Sequence, residues 1–336
     1  MALLQPTATA AAAEDGACDG DRTTWSRSAA FLWLFALIWV LLYVAHVALP
    51  LIQSGAAIIS TAKFERLVSS TMFEPQDRVR VLFFGNSKAL SGIRPLEFDS
   101  AFQPGVRSYN LGLPGEPHFL PILEDALRAG NVPTHVALTV AWDDDDKRRG
   151  LLSALQDDAA IGDALLPFRT FPRDVALFVF NSRLHLLREA RVAAAERDTM
   201  VAQRGWYFIR GQSHFPGDSL PDDYELPTDH PNRFEARPIP RYSQDRDRLE
   251  HLAIRYGFEV LLVPSFLRKG EAAAPVPEDQ ARSSIVSSSA RVRLIGPDYW
   301  VYPASSFSDP VHLNPPGASI YTRDLADLFR RSGIVD

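Results

Sequence analysis

Short apolar runs alternate with helical patterns along the chain, and this alternation constrains the fold more than any other feature. The first run, Val79–Phe84, is apolar at five of its six positions, which is typical of a strand covered on both faces. Similar runs occupy 106–111, 135–141, 258–263 and 292–295, and helical patterns occupy 95–102, 118–129, 241–256 and 316–333. The sequence therefore predicts an α/β domain, a flavodoxin-like parallel sheet of about five strands with flanking helices.

An uncharged apolar stretch, Ala29–Ile52, precedes these runs. At about 1.5 Å of rise per residue, a helix of this length can cross a hydrocarbon core about 30 Å thick. We therefore predict one transmembrane helix over 29–52. A cleaved signal peptide is the alternative because Ser54-Gly55-Ala56 follows the stretch, although the apolar core of such peptides usually has only about 7 to 15 residues.

The basic residues nearest to this stretch precede it. Arg22 and Arg27 lie closer to it than Lys63 and Arg66 do, so the positive-inside rule predicts a cytoplasmic N-terminus and an extracytoplasmic domain. The predicted organisation is a disordered cytoplasmic tail, the transmembrane helix, a connector and one α/β domain, at 1–28, 29–52, 53–76 and 77–336.

A long insertion, Lys147–Pro240, separates the third strand run from the fourth. A parallel crossover needs far fewer residues, so the insertion should have structure of its own. Its middle part, 172–197, has a helical pattern, and 205–240 is predicted to be loop. Two interpretations stay open: a lid or acceptor-binding cap over the sheet edge, or a packed helical addition.

Charge and cysteine content exclude some classes of function. The net charge is −6 and no basic stripe is present, which disfavours nucleic-acid binding. Cys18 is the only cysteine and precedes the apolar stretch, so the domain has no internal disulfide or cysteine metal site. The acidic run Asp143–Asp146 is followed at once by Lys147–Arg149, a pattern that favours a solvated loop over a metal site. We predict neither a metal nor a cofactor.

Ser87 follows the first strand run through Gly85 and Asn86. A serine hydroxyl becomes a strong nucleophile when a histidine, oriented by a carboxylate, removes its proton. Asp309 and His312 follow the last strand run and are three residues apart, so both side chains can project from one side of a turn. Because loops after parallel strands emerge at one edge of the sheet, we predict a catalytic triad of Ser87, His312 and Asp309. The alternatives are a helix N-cap for Ser87 and exposed loop positions for the other two.

These motifs resemble the SGNH (GDSL-like) hydrolase superfamily, whose members carry Ser, Gly, Asn and Asp-x-x-His in successive blocks. Gly85-Asn86-Ser87-Lys88 resembles the first block, Gly112 the glycine of the second, and Asp309-Pro-Val-His312 the last. The resemblance implies an acyl-enzyme on Ser87, with the backbone N–H groups of Ser87 and Gly112 as oxyanion donors.

The third block departs from this pattern. In place of Gly-x-Asn the chain has Ala141-Trp142-Asp143-Asp144. The missing donor is then either absent or supplied by Asn110 or by the indole N–H of Trp142. Loss of one oxyanion donor typically slows a reaction about a hundredfold or more, so a weakly active or inactive protein stays open.

Among membrane-anchored members, the layout is similar to the alginate-type O-acetyltransferases and to the D-alanyl transfer protein of teichoic acid synthesis. This resemblance implies a single-pass protein of the bacterial inner membrane that moves acetyl or another small acyl group to a cell-surface polysaccharide. It also implies three partners: the membrane, the glycan acceptor and a membrane-bound O-acyltransferase that delivers the acyl group. The alternatives are a carbohydrate or lipid esterase with the same triad, and a catalytically inactive scaffold of a polysaccharide-modifying complex.

Overall fold

The computed structural model describes residues 29–44, 63–114, 119–139, 186–208, 215–227, 244–271, 291–297 and 299–335. The predicted cytoplasmic tail, residues 53–62 of the predicted connector, Trp142 and the acidic run after it lie outside the described residues. The same holds for much of the predicted insertion.

Five parallel strands form the central sheet. The strands of the chain are β1 Val79–Phe84, β2 Val106–Asn110, β3 His135–Leu138, β4 Glu259–Leu262, β5 Ser265–Arg268, β6 Val292–Leu294 and β7 Tyr299–Tyr302. The central sheet has the order β2-β1-β3-β4-β6, and every neighbouring pair is parallel. Counted within this sheet alone, the order is 2-1-3-4-5, that of flavodoxin-like doubly wound sheets. The predicted α/β class and parallel sheet are confirmed.

Helices cover both faces of this sheet. The helices of the described residues include α1 at 29–44, which is exposed, a π-helical turn Lys63–Val68, α2 Ser87–Gly92, α3 Pro95–Ser100, α4 Phe119–Arg128, α5 Leu186–Ala202, α6 Gln244–Tyr256 and α7 Pro315–Arg331. The predicted helices at 95–102, 118–129 and 316–333 correspond to α3, α4 and α7 within a few residues.

Alternate strand residues enter two separate hydrophobic cores. Leu82 and Phe84 of β1 pack with residues of α4, α6 and the chain after the π-helical turn. Val81 and Phe83, which point to the opposite face, pack with α3 and α7. A strand buried on both faces must be apolar at successive positions, which is why the run at 79–84 was visible in the sequence.

A second, two-stranded parallel sheet of β5 and β7 was not predicted. Pro264 lies directly between β4 and β5, and a proline donates no backbone hydrogen bond to a ladder. After it the chain leaves the central sheet. The two added strands have only four residues each, which is too short for a periodic pattern, and their pairing spans more than thirty positions of sequence.

The end of α5 ties the insertion to the edge strand β2. The amide N–H of Asn110 donates to the carbonyl of Arg204 at 2.9 Å, and the Arg204 guanidinium pairs with the Asp99 carboxylate. Gly205 has a φ of +96°, and a Cβ there would lie 1.9 Å from the Asn110 carbonyl oxygen. Only glycine fits this conformation and this approach. The described part of the insertion therefore packs on the domain.

Helix α1 is the described part of the predicted transmembrane segment. Its large apolar side chains are exposed, from 36% at Leu42 to 77% at Trp33. Residues 45–52 of the predicted segment lie outside the described residues. Within the part of the chain that the structure describes, no helix is both long enough and apolar enough to cross a membrane.

The stability of the domain should fall as the pH rises through the titration of Asp99. Burial raises the pKa of Asp99 to about 6, although Ser108 and Arg204 both favour its charged form. In an unfolded chain the value is about 3.9, so the contribution of Asp99 is fully present below about pH 4 and is lost above about pH 6. Two pKa units correspond to about 3 kcal/mol. Urea unfolding of the wild type and of Asp99→Asn between pH 4 and 7 should show this decrease only in the wild type; equal pH dependence would contradict it.

Candidate active site

Ser87 lies at the C-terminal edge of the central strand β1 and is the first residue of α2. The turn between them requires Gly85, because a Cβ at that position would come 2.2 Å from the Thr139 hydroxyl and 2.6 Å from the Cβ of Ala89. Close approach, and not a left-handed backbone, is thus the reason for this glycine. The turn presents the Ser87 hydroxyl at the edge of the sheet.

Asn86, and not Ser87, is the N-cap of α2. Its side-chain oxygen accepts a hydrogen bond from the backbone N–H of Lys88 at 2.9 Å. The capping role that the alternative interpretation gave to Ser87 is therefore taken by its neighbour. The Ser87 hydroxyl remains free for another partner.

Asp309 organises the loop that carries His312. One of its carboxylate oxygens accepts from the backbone N–H groups of Val311 and His312, at 2.9 and 2.8 Å. The loop is closed at its base by the backbone N–H of Ser308, which donates to the His312 carbonyl at 2.9 Å. A short aspartate side chain readily forms such a turn with the backbone two and three residues on. The three-residue spacing therefore reflects an aspartate-capped loop and not a helical turn.

The structure brings the three predicted catalytic side chains together. His312 Nε2 lies 2.8 Å from the Ser87 hydroxyl, and His312 Nδ1 lies 2.8 Å from the second carboxylate oxygen of Asp309. The side chains of His312 and Asp309 are 20% and 16% exposed, so solvent reaches the pair only in part. This is the connectivity in which a histidine accepts the serine proton while a carboxylate fixes its tautomer.

Asp309 stays charged although it is largely buried. Burial acts to raise the pKa of Asp309, but the hydrogen bonds from the His312 ring and from two backbone N–H groups outweigh it, so this pKa lies below its ordinary value. A carboxylate that accepts several hydrogen bonds is stabilised in its charged form. Asp309 can therefore stabilise an imidazolium at His312.

Two basic side chains border the triad. Lys88 donates to the Phe266 carbonyl at 3.2 Å and lies 3.9 Å from a carboxylate oxygen of Glu271. Burial lowers the pKa of Lys88, and the charges of Glu271 and Asp309 act against this shift. Arg268, at the end of β5, is buried and its guanidinium lies within 3.4 Å of the Pro310 carbonyl in the histidine loop. The unpredicted second sheet thus supports the loop that carries the base.

Asn110 does not serve as an oxyanion donor in this structure. Its side-chain amide is fully buried and donates to the carbonyls of Ala89, Leu90 and Ile93, at 2.7, 3.2 and 2.8 Å. These carbonyls belong to the last residues of α2 and to its C-cap, Ile93, where a helix has more backbone acceptors than backbone donors. The prediction for Asn110 is therefore corrected: its amide fixes the serine helix to β2.

Gly112 requires the same correction. Its backbone N–H donates to the side-chain oxygen of Asn110 at 2.9 Å, so it is not directed at the site of an oxyanion. The Lys63 ammonium donates to the Asn110 and Gly112 carbonyls at 2.8 and 2.6 Å. Lys63 is buried, and burial lowers the pKa of its amine well below the ordinary value.

The backbone N–H of Ser87 is the predicted oxyanion donor that stays available. It lies in the first turn of α2, where backbone N–H groups have no partner within the helix, and no residue described by the structure accepts from it. Trp142, the remaining predicted donor, lies outside the described residues. No group of three or more metal-ligating side chains lies within the described part of the chain.

A small pocket adjoins the triad, and part of its wall comes from the insertion. Its free volume is about 10 Å³, on the order of the space for one water molecule. The pocket is lined by Ser87, Leu90, Ser91, Tyr207, Phe208, Ser308 and His312. A larger cavity of about 530 Å³ lies elsewhere, between Trp300 and the charged end of α7. The small pocket is the candidate substrate site because Ser87 and His312 line it.

Sequence reasoning missed several residues around the site. Tyr207 and Phe208 lie in a stretch predicted only as loop, and Arg268 lies in an unpredicted strand. The one available signal was the arginine at the end of an otherwise apolar run, Phe266-Leu267-Arg268. An isolated charge in an apolar run indicates a buried group with a specific partner.

No family model, curated protein or solved structure matches the chain. The motifs of the sequence and the geometry of the site are therefore the evidence for function.

Replacement of Asn110 by alanine should destabilise the domain. Asn110→Ala removes a donor from three buried carbonyls and leaves the Ile93 carbonyl and the Gly112 N–H without their partner, and we expect a loss of about 2–4 kcal/mol in the free energy of unfolding. Urea denaturation followed by circular dichroism measures this. Asn131→Ala is the matched control, because Asn131 is equally buried and bonds three backbone groups away from the triad. Unchanged stability of Asn110→Ala would contradict the structural role.

Proposed function

We propose that this protein is a membrane-anchored, extracytoplasmic SGNH-like serine acyltransferase that moves acetyl or another small acyl group to a cell-surface polysaccharide. The single observation that carries the proposal is the chain of hydrogen bonds from Ser87 through His312 to Asp309. It lies at the C-terminal edge of a doubly wound parallel sheet, where such sheets usually bind their ligands.

The reaction would proceed through an ester on Ser87. The Ser87 oxygen attacks the acyl carbonyl of the donor as His312 Nε2 takes the hydroxyl proton, and the imidazolium is stabilised by Asp309. The tetrahedral intermediate collapses, and His312 returns the proton to the leaving group. An acceptor hydroxyl then enters, gives its proton to His312 and attacks the acyl-Ser87 ester. Ser87 recovers a proton from His312 as the new ester leaves.

The Ser87 N–H supports the oxyanion in this scheme. Ser87 is the first residue of α2, so its backbone N–H points away from the helix. A backbone N–H in such a position stabilises developing negative charge. Asn110 and Gly112 are bonded within the domain. A second hydrogen-bond donor to the oxyanion therefore has to come from a rearrangement on substrate binding or from residues outside the described ranges. We therefore expect slow turnover compared with enzymes that have a complete oxyanion hole.

The proposed location depends on the segment before the domain. Residues 29–52 are apolar and uncharged, and 29–44 are helical with exposed apolar side chains. Together with the charge bias, this supports a bacterial inner-membrane anchor and an exported domain. The partners we propose on the resemblance are the glycan acceptor and a membrane-bound O-acyltransferase that supplies the acyl group.

A catalytically inactive scaffold is the second candidate, and one observation favours it. Two of the predicted oxyanion donors, at Asn110 and Gly112, are bonded within the domain, which weakens the stabilisation of a tetrahedral intermediate. An esterase with the same triad differs from the transferase in whether water or a sugar hydroxyl reaches the acyl-enzyme. Both alternatives are separated from the proposal by the experiments below.

A fluorophosphonate probe should label the wild-type protein on Ser87. The probe forms a covalent bond only with a serine whose proton is removed by a neighbouring base, so Ser87→Ala should abolish labelling, whereas Ser100→Ala, at an exposed serine, should leave it unchanged. Mass spectrometry of the labelled peptide identifies the site. No labelling of the folded wild type would favour the scaffold.

In the same preparation, incubation with an activated acetyl ester and an oligosaccharide separates transfer from hydrolysis. Acetylated oligosaccharide as the main product supports the transferase. Release of free acetate alone supports the esterase.

Asp309→Asn should keep the fold and lose most of the activity. The remaining side-chain oxygen can still accept from Val311 and His312, so the loop is preserved, but the new amide would donate toward His312 Nδ1 and favour the wrong tautomer. In a serine protease this change costs about 10⁴ in kcat, and we expect a fall of about 10³–10⁴ here. Ester hydrolysis in the steady state measures it, with Asp327→Asn, an exposed carboxylate on α7, as the control. Activity within about threefold of the wild type would contradict the triad.

A further inference from the structure

The small pocket beside Ser87, from here on called the acyl slot, is closed in part by residues of the insertion. Tyr207 is buried, with 7% of its surface exposed, and it lines the slot together with Phe208. Leu90 and Ser91 of α2, on the turn that follows the nucleophile, also line it. Residues inserted between β3 and β4 therefore share one small pocket with Ser87 and His312.

This wall is fixed to the serine helix by several bonds. The backbone N–H of Tyr207 donates to the Leu90 carbonyl at 3.3 Å, and the indole N–H of Trp206 donates to the Ser91 carbonyl at 2.7 Å. The Arg94 guanidinium lies over the Trp206 ring, 4.7 Å from its centre. Tyr207 is also hydrogen-bonded to Glu196 of α5. The aromatic wall is thus attached directly to the helix that carries the nucleophile.

The positions of the triad determine what this slot can receive. In either half of the reaction, His312 Nε2 must face the leaving group or the incoming hydroxyl, because it exchanges a proton with that oxygen. The carbon chain of the acyl group must then extend away from His312. Leu90, Ser91 and Tyr207 line the pocket together with Ser87 and His312, and the free volume of the whole pocket is about that of one water molecule.

We infer that Tyr207 is a specificity-determining residue, which closes the acyl slot and restricts the donor to acyl groups with about two carbons. The inference rests on the proposed function and adds to it the residue that selects the donor. It also gives the described part of the insertion a role as the wall of the acyl site. A single extra methylene that does not fit a closed pocket lowers kcat/KM by about tenfold or more.

Acylation by a series of 4-nitrophenyl esters, acetate, butyrate and hexanoate, tests this inference on the full-length protein in detergent. For the wild type, kcat/KM should fall from acetate to hexanoate by at least about a hundredfold, since each added pair of methylenes has no space. In Tyr207→Leu the ratio of kcat/KM for the acetate ester to kcat/KM for the hexanoate ester should fall at least about tenfold. Tyr207→Phe is the matched control: it keeps the ring and loses only the hydroxyl, so its ratio should equal that of the wild type.

Two results would overturn the inference while the proposed function stands. One is a wild-type protein that is acylated on Ser87 equally fast by all three esters. The other is a folded Tyr207→Leu with the wild-type ratio. Where Tyr207→Leu does not fold by circular dichroism, Phe208→Ala, at a partly exposed position of the same wall, replaces it with the same expected change. Failure of every ester and of the fluorophosphonate probe to modify Ser87 would instead reject the proposed function and the inference together.

Discussion

The hydrogen bonds of one buried asparagine, Asn110, hold the candidate site in its geometry. Its amide binds three carbonyls of the helix that carries Ser87, and its side-chain oxygen binds the N–H of Gly112. Its backbone N–H binds the Arg204 carbonyl of the insertion, and its own carbonyl accepts from the Lys63 ammonium. Serine helix, insertion and connector thus converge on the end of β2. Because buried polar groups are costly when unpaired, these elements keep one relative arrangement.

The loop that carries His312 is organised by a different principle. Asp309 uses one oxygen to fix the backbone of the loop and the other to orient the imidazole, so a single carboxylate forms the turn and prepares the base. Arg268, from the second sheet, supports this loop through the Pro310 carbonyl. Burial opposes the charge on Asp309 and its hydrogen bonds favour it. A carboxylate that remains charged in a half-buried site can stabilise a cation on its neighbour.

The same interactions that fix the site also limit its chemistry. Gly112, an oxyanion donor by the resemblance, and Asn110, a predicted substitute for the missing third-block donor, both have structural roles instead. The serine helix is thus made rigid by groups that a fast enzyme would direct at its substrate. The aromatic wall around Tyr207 adds a second limit, since the slot beside Ser87 has space for only a small group. For the proposed acyl transfer, these features predict slow and selective turnover, in which positioning of a small donor matters more than electrostatic stabilisation.

The sequence by itself determined the strands of the central sheet and the three residues of the triad. Val79–Phe84 is apolar at nearly every position because both faces of β1 are covered. A run of this kind can be recognised from the order of the residues alone. Ser87 was predictable because loops after parallel strands share one edge. The Asp-x-x-His spacing indicated Asp309 and His312, although these two follow β7 of the second sheet and not the predicted last strand. Only the tertiary structure decided that Asn110 is a structural hub, that β5 pairs with β7, and that Tyr207 closes the slot. Each of these depends on contacts between segments far apart in the chain, such as Asn110 with Arg204, and no local pattern records which distant group a polar or aromatic side chain will meet.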